Sequence, residues 1–547
     1  MPKKKSKAKT VILVLATALI AGGAVAGGFA IKKYVDENAI AMPWSEKQFE
    51  NTYVGVRLYH DGETDPVRLG AAANFKAGIN GERNDFDAYP VFSGMKQHKN
   101  KSSDFVVTID EHYVKTVATA NYTDYMMSPT KLDDTWIKVG AHDVGSFQAN
   151  LTKDSKGKGT FHSQKDTYLS AGFTKVQAAE YAKNAGAYLT TYTESMDVNY
   201  LMTIEFATDN LQDVFSGYTN APCLDEELAF DLELQDTGKT NIFRVEADAL
   251  NDLLGDRKVA DMFIPGFTSF NIIENSHYTS SSVATVTGVK KVNYTKKAAS
   301  SSSSSASSEE AETVNCYEIT LDKSVKFEDE IHAMEADYKI AEDDEDAEID
   351  VDSLYAEIGI YAKNGLTDGL KGTSHELRSI NGIELEKGRR PFAWRGIENW
   401  YGNVYEWLDG VQTKAVSSED EDKAGSFLQV CDDKDLMGES KAADSKTPDY
   451  KTVFSVTSGN TSGWISGLAE GNDVNPFIIA GTQNNAPGSL NDYLYMPGFN
   501  TNSESATLRP VFRGSYWSSG SNGGAWFLRG LDDFDSALNS LGARLGF

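Results

Sequence analysis

Side chains able to perform covalent or acid–base catalysis are scarce in the C-terminal part of this sequence. The three cysteines, Cys223, Cys316 and Cys431, lie too far apart for a CxxC motif or a disulfide scaffold, although one pair could form across the fold. No histidine follows His375, which excludes a histidine-based triad or zinc cluster there. Carboxylates could pair as acid and base, but exposed acidic surfaces are far more common. We expect no enzymatic activity, no cofactor and no metal site.

One acidic segment suggests calcium as an alternative. Eight of the eleven residues of EDDEDAEIDVD, at Glu342–Asp352, are acidic. The segment lacks the central glycine and the terminal glutamate of an EF-hand loop. A solvated acidic surface is the favoured interpretation, and calcium binding stays open.

The C-terminal segment offers side chains suited to recognition rather than to catalysis. Tyr516 and Phe527 supply aromatic anchors, Arg529 supplies a guanidinium, and a group of carboxylates follows. Rigid aromatic rings among small polar groups are typical of binding surfaces. Phe527, Leu531 and Leu538 could equally form the buried face of a strand, because apolar residues alternate with polar ones. The carboxylates are those of Asp532, Asp533 and Asp535.

The charge of the chain excludes one class of partner. The formal net charge is -28, although the first 33 residues contain seven lysines and no acidic residue. A phosphate backbone would be repelled by so acidic a surface, so we expect no nucleic-acid partner.

The N-terminus predicts a membrane segment. A basic tail at residues 1–10 precedes 21 uncharged, mostly apolar residues, Val11–Ile31, and Lys32 and Lys33 follow. About 20 apolar residues span a bilayer as a helix, and the lysines predict a cytoplasmic tail with an extracellular C-terminal domain. A cleaved signal peptide with its site near Ala24–Ala26 is the alternative, giving a secreted protein.

Strands and two helices are predicted ahead of residue 210. Thr174 and Gln177 form a capping box for a first helix that Gly186 ends, and a second helix covers roughly Glu194–Ala207. An apolar stripe on the first helix consists of Val176, Ala179, Tyr181 and Ala182. Strand-type composition marks Tyr53–Tyr59, Phe105–Ile109, Tyr113–Ala118 and Trp136–Val139.

A change in composition at residues 225–366 indicates an inserted segment. It is acidic, strand-like and rich in loops, and its Ser-rich tract Ala298–Glu312 cannot pack a core. From Thr373 onward the chain is rich in Gly, Ser, Asn, Trp and Tyr, which predicts irregular β structure with long loops that carry binding.

Three stretches carry a family resemblance. They are FTKVQAAEYAKNAGAYLTTYTESMDVNYLMTIEFAT at Phe173–Thr208, WRGIENWYGNVYEWLDGV at Trp394–Val411, and the final segment Arg509–Phe547, which opens RPVFRGSYW and ends GARLGF. In this order they resemble the formylglycine-generating-enzyme-like branch of the C-type-lectin-like fold. The enzymes of that branch oxidise a substrate cysteine with their own C-terminal cysteine pair, and this chain has no cysteine after Cys431.

The resemblance implies an α+β chain with a C-type-lectin-like fold and long loops. The inserted β-rich segment and the N-terminal transmembrane helix that precedes the domain lie outside the resemblance and are expected from composition. It places the first part of the domain at 44–224, the insertion at 225–366 and the second part at 373–547.

A narrower resemblance concerns the last residues. The chain is similar to phage tail-fibre receptor-binding proteins and to variable proteins that diversity-generating retroelements diversify at AAY codons. Such codons cannot become Lys, Glu, Gln, Met or Trp. Lys, Glu, Gln and Met do not occur from Arg513 to Phe547, and Trp517 and Trp526 fall on positions that are expected to be fixed. The resemblance places variable positions at Ser518, Ser519, Asn522, Phe527, Arg529, Leu531, Asp532, Ser536, Leu538 and Ser540.

These inferences define the expected site. The ligand-binding set adds Tyr516, Asp533, Asp535 and Asn539 to those variable positions. We expect Arg395 and Glu398 to lock the Gly402–Asn403 turn. The other expected scaffold residues are Glu406, Trp394, Trp400, Trp407, Trp517 and Trp526. We expect a surface-displayed protein that binds an unknown extracellular ligand, protein or glycan, through a diversified face. The alternative is a phage-derived adhesin or receptor-binding protein of fixed specificity.

Overall fold

Strands dominate the structure. In the computed structural model, 39% of the described residues are in strands and 12% in helices, and one sheet curls into a half-barrel. The predicted α+β, C-type-lectin-like class is therefore wrong, and the described chain is mainly β. The two longest helices begin with capping boxes, and many of the strands are only two to four residues long. The described residues are 51–219, 241–254, 258–273, 281–295, 313–323, 359–420, 422–431, 450–472, 475–484, 492–517, 519–520, 523–538 and 540–547.

The first part of the chain forms a five-stranded antiparallel sheet and contributes strands to a second. The order in the first sheet is β2-β1-β6-β5-β7, and β9 pairs with β10 separately. The four predicted strand segments are confirmed to within one residue at their starts. The strands are β1 (Val54–Tyr59), β2 (Val67–Gly70), β3 (Gln97–Lys99), β4 (Phe105–Ile109), β5 (His112–Ala118), β6 (Tyr122–Ser128), β7 (Ile137–Val139), β8 (His142–Gly145), β9 (Asn150–Lys153) and β10 (Gly159–His162).

Two helices follow, each begun by a capping box. Helix α1 (Lys175–Asn184) starts after Thr174 as predicted, and Gly186 follows its end in a left-handed conformation, φ +72°. Strand β11 (Tyr188–Leu189) leads to α2 (Tyr192–Phe206), whose capping box pairs Thr191 with Glu194. The predicted stripe on α1 is wrong at one position: Val176 is 44% exposed, and Lys175 is buried instead. Lys175 can lie inside because its ammonium pairs with the buried Asp409.

The segment predicted to be an insertion forms its own sheet. The strand order is β12-β15-β14-β13-β16. Phe267 and Ile319 of this segment are fully buried in one hydrophobic cluster with Tyr218 and Trp517, so the sheet packs beneath the C-terminal segment. The elements are β12 (Ile242–Glu246), α3 (Ala247–Leu254), α4 (Val259–Met262), β13 (Ser269–Ile273), β14 (Ser281–Thr295), β15 (Thr313–Leu321) and β16 (Gly359–Tyr361).

The rest of the chain is built from strands around one large sheet. Its order is β24-β23-β22-β30-β31-β29-β25-β28, with β32 parallel to β22. The strands are β17 (Ser374–Glu376), β18 (Ser379–Ile380), β19 (Ile383–Glu384), β20 (Phe392–Trp394), β21 (Ile397–Glu398), β22 (Tyr405–Ser417), β23 (Gly425–Val430), β24 (Lys451–Val456), β25 (Gly463–Ile465), β26 (Leu468–Ala469), β27 (Ile478–Ile479), β28 (Thr482–Gln483), β29 (Tyr493–Tyr495), β30 (Ser505–Arg513), β31 (Leu528–Arg529), β32 (Leu541–Ala543) and β33 (Leu545–Gly546).

The last residues of the chain complete a sheet begun in its first part. Strand β33 lies between β11 and β8 in the order β11-β33-β8-β4-β3. Nearby, the Ala149 N–H donates to the carbonyl of Ala543 at 2.8 Å. The chain on either side of the inserted sheet therefore builds shared sheets, and residues 51–547 form one compact unit.

The expected single-pass membrane location is not supported. Residues 1–50, which include the predicted segment Val11–Ile31 and the alternative cleavage site, lie outside the described residues. In the described part of the chain no helix is long and apolar enough to cross a bilayer. Helix α2, of 15 residues, falls short of the roughly 20 that a span requires.

The backbone at Gly402 leaves no room for a side chain. Gly402 has φ +78°, and a Cβ there would lie 2.8 Å from the backbone N and O of Tyr218. Gly402→Ala should therefore lower the free energy of unfolding by about 2–4 kcal/mol, from a strained φ and a backbone clash together. Denaturant unfolding of the full chain measures this loss.

Gly459→Ala is the matched control. Gly459 has φ +80° but open space around its Cβ position, so only the strain of the left-handed backbone applies, about 1 kcal/mol. Equal losses for the two variants would show that the close approach to Tyr218 has no energetic consequence.

Candidate functional site

One buried carboxylate, that of Glu406, binds two buried arginines. Arg513 donates from Nη2 to Oε2, and Arg544 donates from Nε to Oε1 at 3.0 Å. Gln148 donates to the same Oε1 at 3.0 Å. Glu406 is 2% exposed and neither arginine has any exposed surface. Burial lowers the pKa of Arg513 to about 10, which leaves its guanidinium charged at neutral pH.

The two arginines extend this ion cluster to distant parts of the chain. Arg544 donates to the carbonyls of Gly145 at 2.9 Å and Glu398 at 2.7 Å. Arg513 donates to the carbonyl of Trp400 at 2.9 Å, and its guanidinium carbon lies 3.3 Å from the centre of that indole ring. The planar guanidinium suits this combination of several donors with ring stacking. Both ends of the segment 513–544 are thereby fixed to β22 and to the first part of the chain.

The Gly402–Asn403 turn connects β22 to the C-terminal segment and to the end of the inserted sheet. Asn403 accepts from the Ala362 N–H at 2.7 Å and donates to the Ala362 carbonyl at 3.0 Å. The Trp517 N–H donates to the Asn403 carbonyl at 3.2 Å, and the Gly402 N–H donates to Ser515 Oγ at 2.9 Å. Residues 515–517 are therefore held by backbone and buried side-chain bonds.

Arg395 and Glu398 lock elements other than the turn for which they were proposed. Arg395 Nε donates to Glu205 of α2 at 2.7 Å, and its Nη1 donates to the Phe92 carbonyl at 2.9 Å. Glu398 accepts from the hydroxyl of Thr367 at 2.5 Å, and burial raises its pKa to about 7. The two residues thus tie β20 and β21 to helix α2 and to the loop after β16.

The tryptophans expected in the scaffold lie inside the protein. Each is at most 2% exposed. Trp407 donates from its indole N–H to the Phe173 carbonyl at 2.9 Å, which satisfies its one polar group. The five residues are Trp394, Trp400, Trp407, Trp517 and Trp526.

The predicted ligand-binding residues fall into three groups. Phe527 and Ser540 are buried, at 3% and 7% exposure, and the Phe527 ring packs 5.4 Å from that of Tyr405. Ser518, Asn522 and Asn539 lie outside the described residues. Leu538 is 38% exposed and does not form part of the core. The half-buried or exposed set is Tyr516, Ser519, Arg529, Leu531, Asp532, Asp533, Asp535, Ser536 and Leu538.

The loop after β31, residues 531–538, is fixed by its own charged and polar groups. Arg529 Nε donates to Asp532 at 2.8 Å, and Arg509 forms an ion pair with Asp533. The Asp533 N–H donates to Ser536 Oγ at 3.0 Å. These contacts hold the loop in one conformation, and the side chains of Leu531 and Leu538 remain at least partly exposed.

The preceding loop is held from the first part of the chain. Gln212 donates to the carbonyl of Gly520 at 3.2 Å, and the Gly520 N–H donates to the Thr219 carbonyl at 2.7 Å. Because these bonds use the backbone of the loop, they do not depend on which side chain stands at the neighbouring Ser519.

Sequence reasoning missed a row of aromatic rings beside these loops. The aromatic row consists of Trp464, Tyr493, Tyr495, Phe527, Tyr405 and Tyr516, with consecutive ring centres 4.4–5.7 Å apart. All except Phe527 are half-buried. The one available signal was the i, i+2 spacing of the tyrosines in NDYLYMPG, which places both on one face of a strand.

A buried acid lies next to the aromatic row. Asp492 is 5% exposed, and its carboxylate accepts from the Trp526 N–H at 2.7 Å. Burial, with a contribution from the charge of the nearby Asp209, raises the pKa of Asp492 to about 8. The residue therefore joins the start of β29 to the segment before β31.

The cysteines, histidines and acidic residues considered in the sequence analysis form no metal site within the described residues. Among those residues no group of three or more His, Cys, Asp or Glu side chains is placed to hold a metal ion. Cys316 and Cys431 are buried. Cys223, the Ser-rich tract and the acidic run Glu342–Asp352 lie outside the described residues.

Comparison with known proteins does not assign the chain to a family. A scan against models of protein families and a search of curated proteins both find no match. The interpretation of the C-terminal face therefore rests on its own residues and geometry.

The buried acid predicts a pH-dependent stability. The folded-state pKa of Asp492, about 8, lies above the unfolded value of about 4, so its contribution is full below about pH 4 and is lost as the pH rises to about 8. Asp492→Asn should remove this loss. Its melting temperature relative to the wild type should be higher at pH 8 than at pH 5.

Asp134→Asn serves as the control, because the side chain of Asp134 is fully exposed. The difference in melting temperature between this variant and the wild type should be the same at pH 5 and at pH 8. If Asp492→Asn also showed no pH-dependent difference, the carboxyl would be ionised across this range and the account of its burial would be wrong.

Proposed function

We propose that this protein binds a ligand through the exposed side chains of residues 516–538, and that a retroelement diversifies them. The observation that carries the proposal is the position of these side chains. They lie between Arg513, the last residue of β30, and Arg544, which stands between β32 and β33, and both arginines bind the buried Glu406. The fold is thus held by groups that lie outside the exposed set.

The amino acids of the segment support replaceability. From Arg513 to Phe547 the sequence contains no Lys, Glu, Gln or Met, all of which occur elsewhere in the chain. Ser519, Leu531 and Leu538 are compatible with the codon changes of the resembled variable proteins. Their side chains are at least partly exposed. Surface changes away from special contacts usually alter stability by less than about 0.5 kcal/mol, which applies to Leu531 and Leu538, whereas Ser519 Oγ accepts from the Tyr516 backbone N–H at 3.0 Å.

A binding protein of fixed specificity is the second candidate, and different observations favour it. Phe527 is 3% exposed and stacks in the core, and Asp532 and Asp533 form ion pairs with Arg529 and Arg509. Random replacement at these positions would remove packing or pairing. This candidate keeps the same face but fixes its residues, as in an adhesin or receptor-binding protein.

Deep sequencing of the bases that encode residues 513–547, from a growing population of the source, separates the two candidates. Diversification predicts substitutions at adenines of a nearby template repeat, concentrated at the codons of Ser519, Leu531 and Leu538. The codons of Arg513 and Arg544 should stay constant because their side chains hold the fold.

The bases that encode β22 in the same molecules give the background error rate. An excess of substitutions at the exposed codons above that rate supports diversification. Invariance at the same depth, without a template repeat, contradicts it and leaves the fixed binding protein.

A further inference from the structure

The aromatic row brings together six rings from five strands or loops, and the buried Phe527 links the half-buried rings on either side of it. Tyr493 and Tyr495 share a face of β29 with ring centres 4.4 Å apart, and Trp464 of the neighbouring β25 packs edge-on against Tyr493 at 5.4 Å. At the other end the rings of Tyr405 and Tyr516 lie 5.0 Å apart. These half-buried rings rest on the core and keep part of their surface in solvent.

One cation already occupies this surface. The Arg529 guanidinium carbon lies 5.4 Å from the centre of the Tyr495 ring, and its Nε bonds to Asp532 at 2.8 Å. The geometry combines the two attractions that hold a cation at a protein surface, the negative face of an aromatic ring and a carboxylate. The ring of Tyr495 therefore demonstrates the chemistry that the rest of the row offers to a partner.

We infer that the partner is a protein segment that presents arginine or lysine side chains, which stack on the aromatic row. This inference rests on the proposed function, because it names the chemistry of the ligand of that same face. The complement is electrostatic: the chain carries a net charge of -28, and Asp535, in the loop after β31, has an exposed carboxylate. An acidic protein raises the association rate of basic partners and disfavours acidic ones.

The row distinguishes this face from other tyrosines on the surface. On β1 and β6, Tyr59 and Tyr122 form a single pair with ring centres 6.1 Å apart, and Arg57 covers Tyr122 at 3.7 Å from the ring centre. That pair is closed by its own arginine. The aromatic row extends over several rings, of which Trp464, Tyr493 and Tyr405 lie beyond the contact between Arg529 and Tyr495.

A phage-displayed random peptide library, panned on the immobilised full chain, tests the inference. Clones are counter-selected on the Tyr493→Ser/Tyr495→Ser double variant, so that only peptides requiring the row are kept. We expect these peptides to be enriched in Arg and Lys. A synthetic version of an enriched peptide should bind the double variant about tenfold more weakly, and replacing its arginines by citrulline should weaken binding similarly.

Two further variants test whether the effect is specific to the aromatic row and whether it depends on charge. Tyr59→Ser/Tyr122→Ser removes a matched pair of rings elsewhere and should leave the affinity unchanged. Asp535→Lys adds a positive charge at an exposed loop position without removing a packed ring, and should also weaken the peptide, more strongly at low salt. Circular dichroism and melting curves show whether each variant is folded.

The outcomes separate the two proposals. Peptides that require the row but lack Arg and Lys would overturn the inference of a basic partner and would leave the binding face intact. If counter-selection left no peptide, because every clone that bound the wild type also bound the double tyrosine variant, and if the Asp535→Lys change did not weaken those clones either, the face would not be the binding surface. The proposed function would then fail together with this inference.

Discussion

The burial of three charges around Glu406 is the constraint on which the C-terminal half of the molecule depends. Removing a carboxylate and two guanidinium groups from water is costly, and the cost is offset only when geometry and hydrogen bonding are nearly complete. Here Gln148 and the carbonyls of Gly145 and Trp400 supply further bonds. Loss of one partner would leave uncompensated buried charge. The cluster therefore fixes β22, β30 and the chain terminus relative to the first part of the chain.

This arrangement separates stability from recognition along the sequence. Between the two arginines the described chain has exposed or half-buried residues at 516, 519 and 520 and again at 531–538, and buried residues lie before and after each group. The loops are held through backbone atoms and short ion pairs. The inserted sheet, which packs beneath Trp517, supports them from below. Exposed side chains on such loops change the character of the surface with little effect on the core, which is the property that a recognition face requires.

Capping boxes and strand composition predicted local structure, but they did not predict contacts between residues far apart in the sequence. The capping box at Thr174 and the four early strands followed from neighbouring residues, and composition also predicted β structure from Thr373 onward. The α+β class came from the family resemblance, and the strand content contradicts it. Nothing near Glu406 indicated that its partners would be more than a hundred residues away. For the same reason Arg395 was assigned to a nearby turn although it binds Glu205. The sequence left Phe527 open between face and core, and only the packing of Tyr405 against it decided for the core.

Two variants compared in one unfolding experiment test whether the ion cluster around Glu406, and not the exposed side chains, holds the fold. Glu406→Gln keeps the size of the side chain but leaves Arg513 and Arg544 buried without a counter-charge, and the account predicts a loss of about 3–5 kcal/mol in the free energy of unfolding. The combined change Leu531→Ser, Asp535→Ser and Leu538→Ser alters three positions with exposed surface and should cost about 1 kcal/mol or less in total. A triple variant that lost as much stability as Glu406→Gln would contradict the separation of the fold from the face.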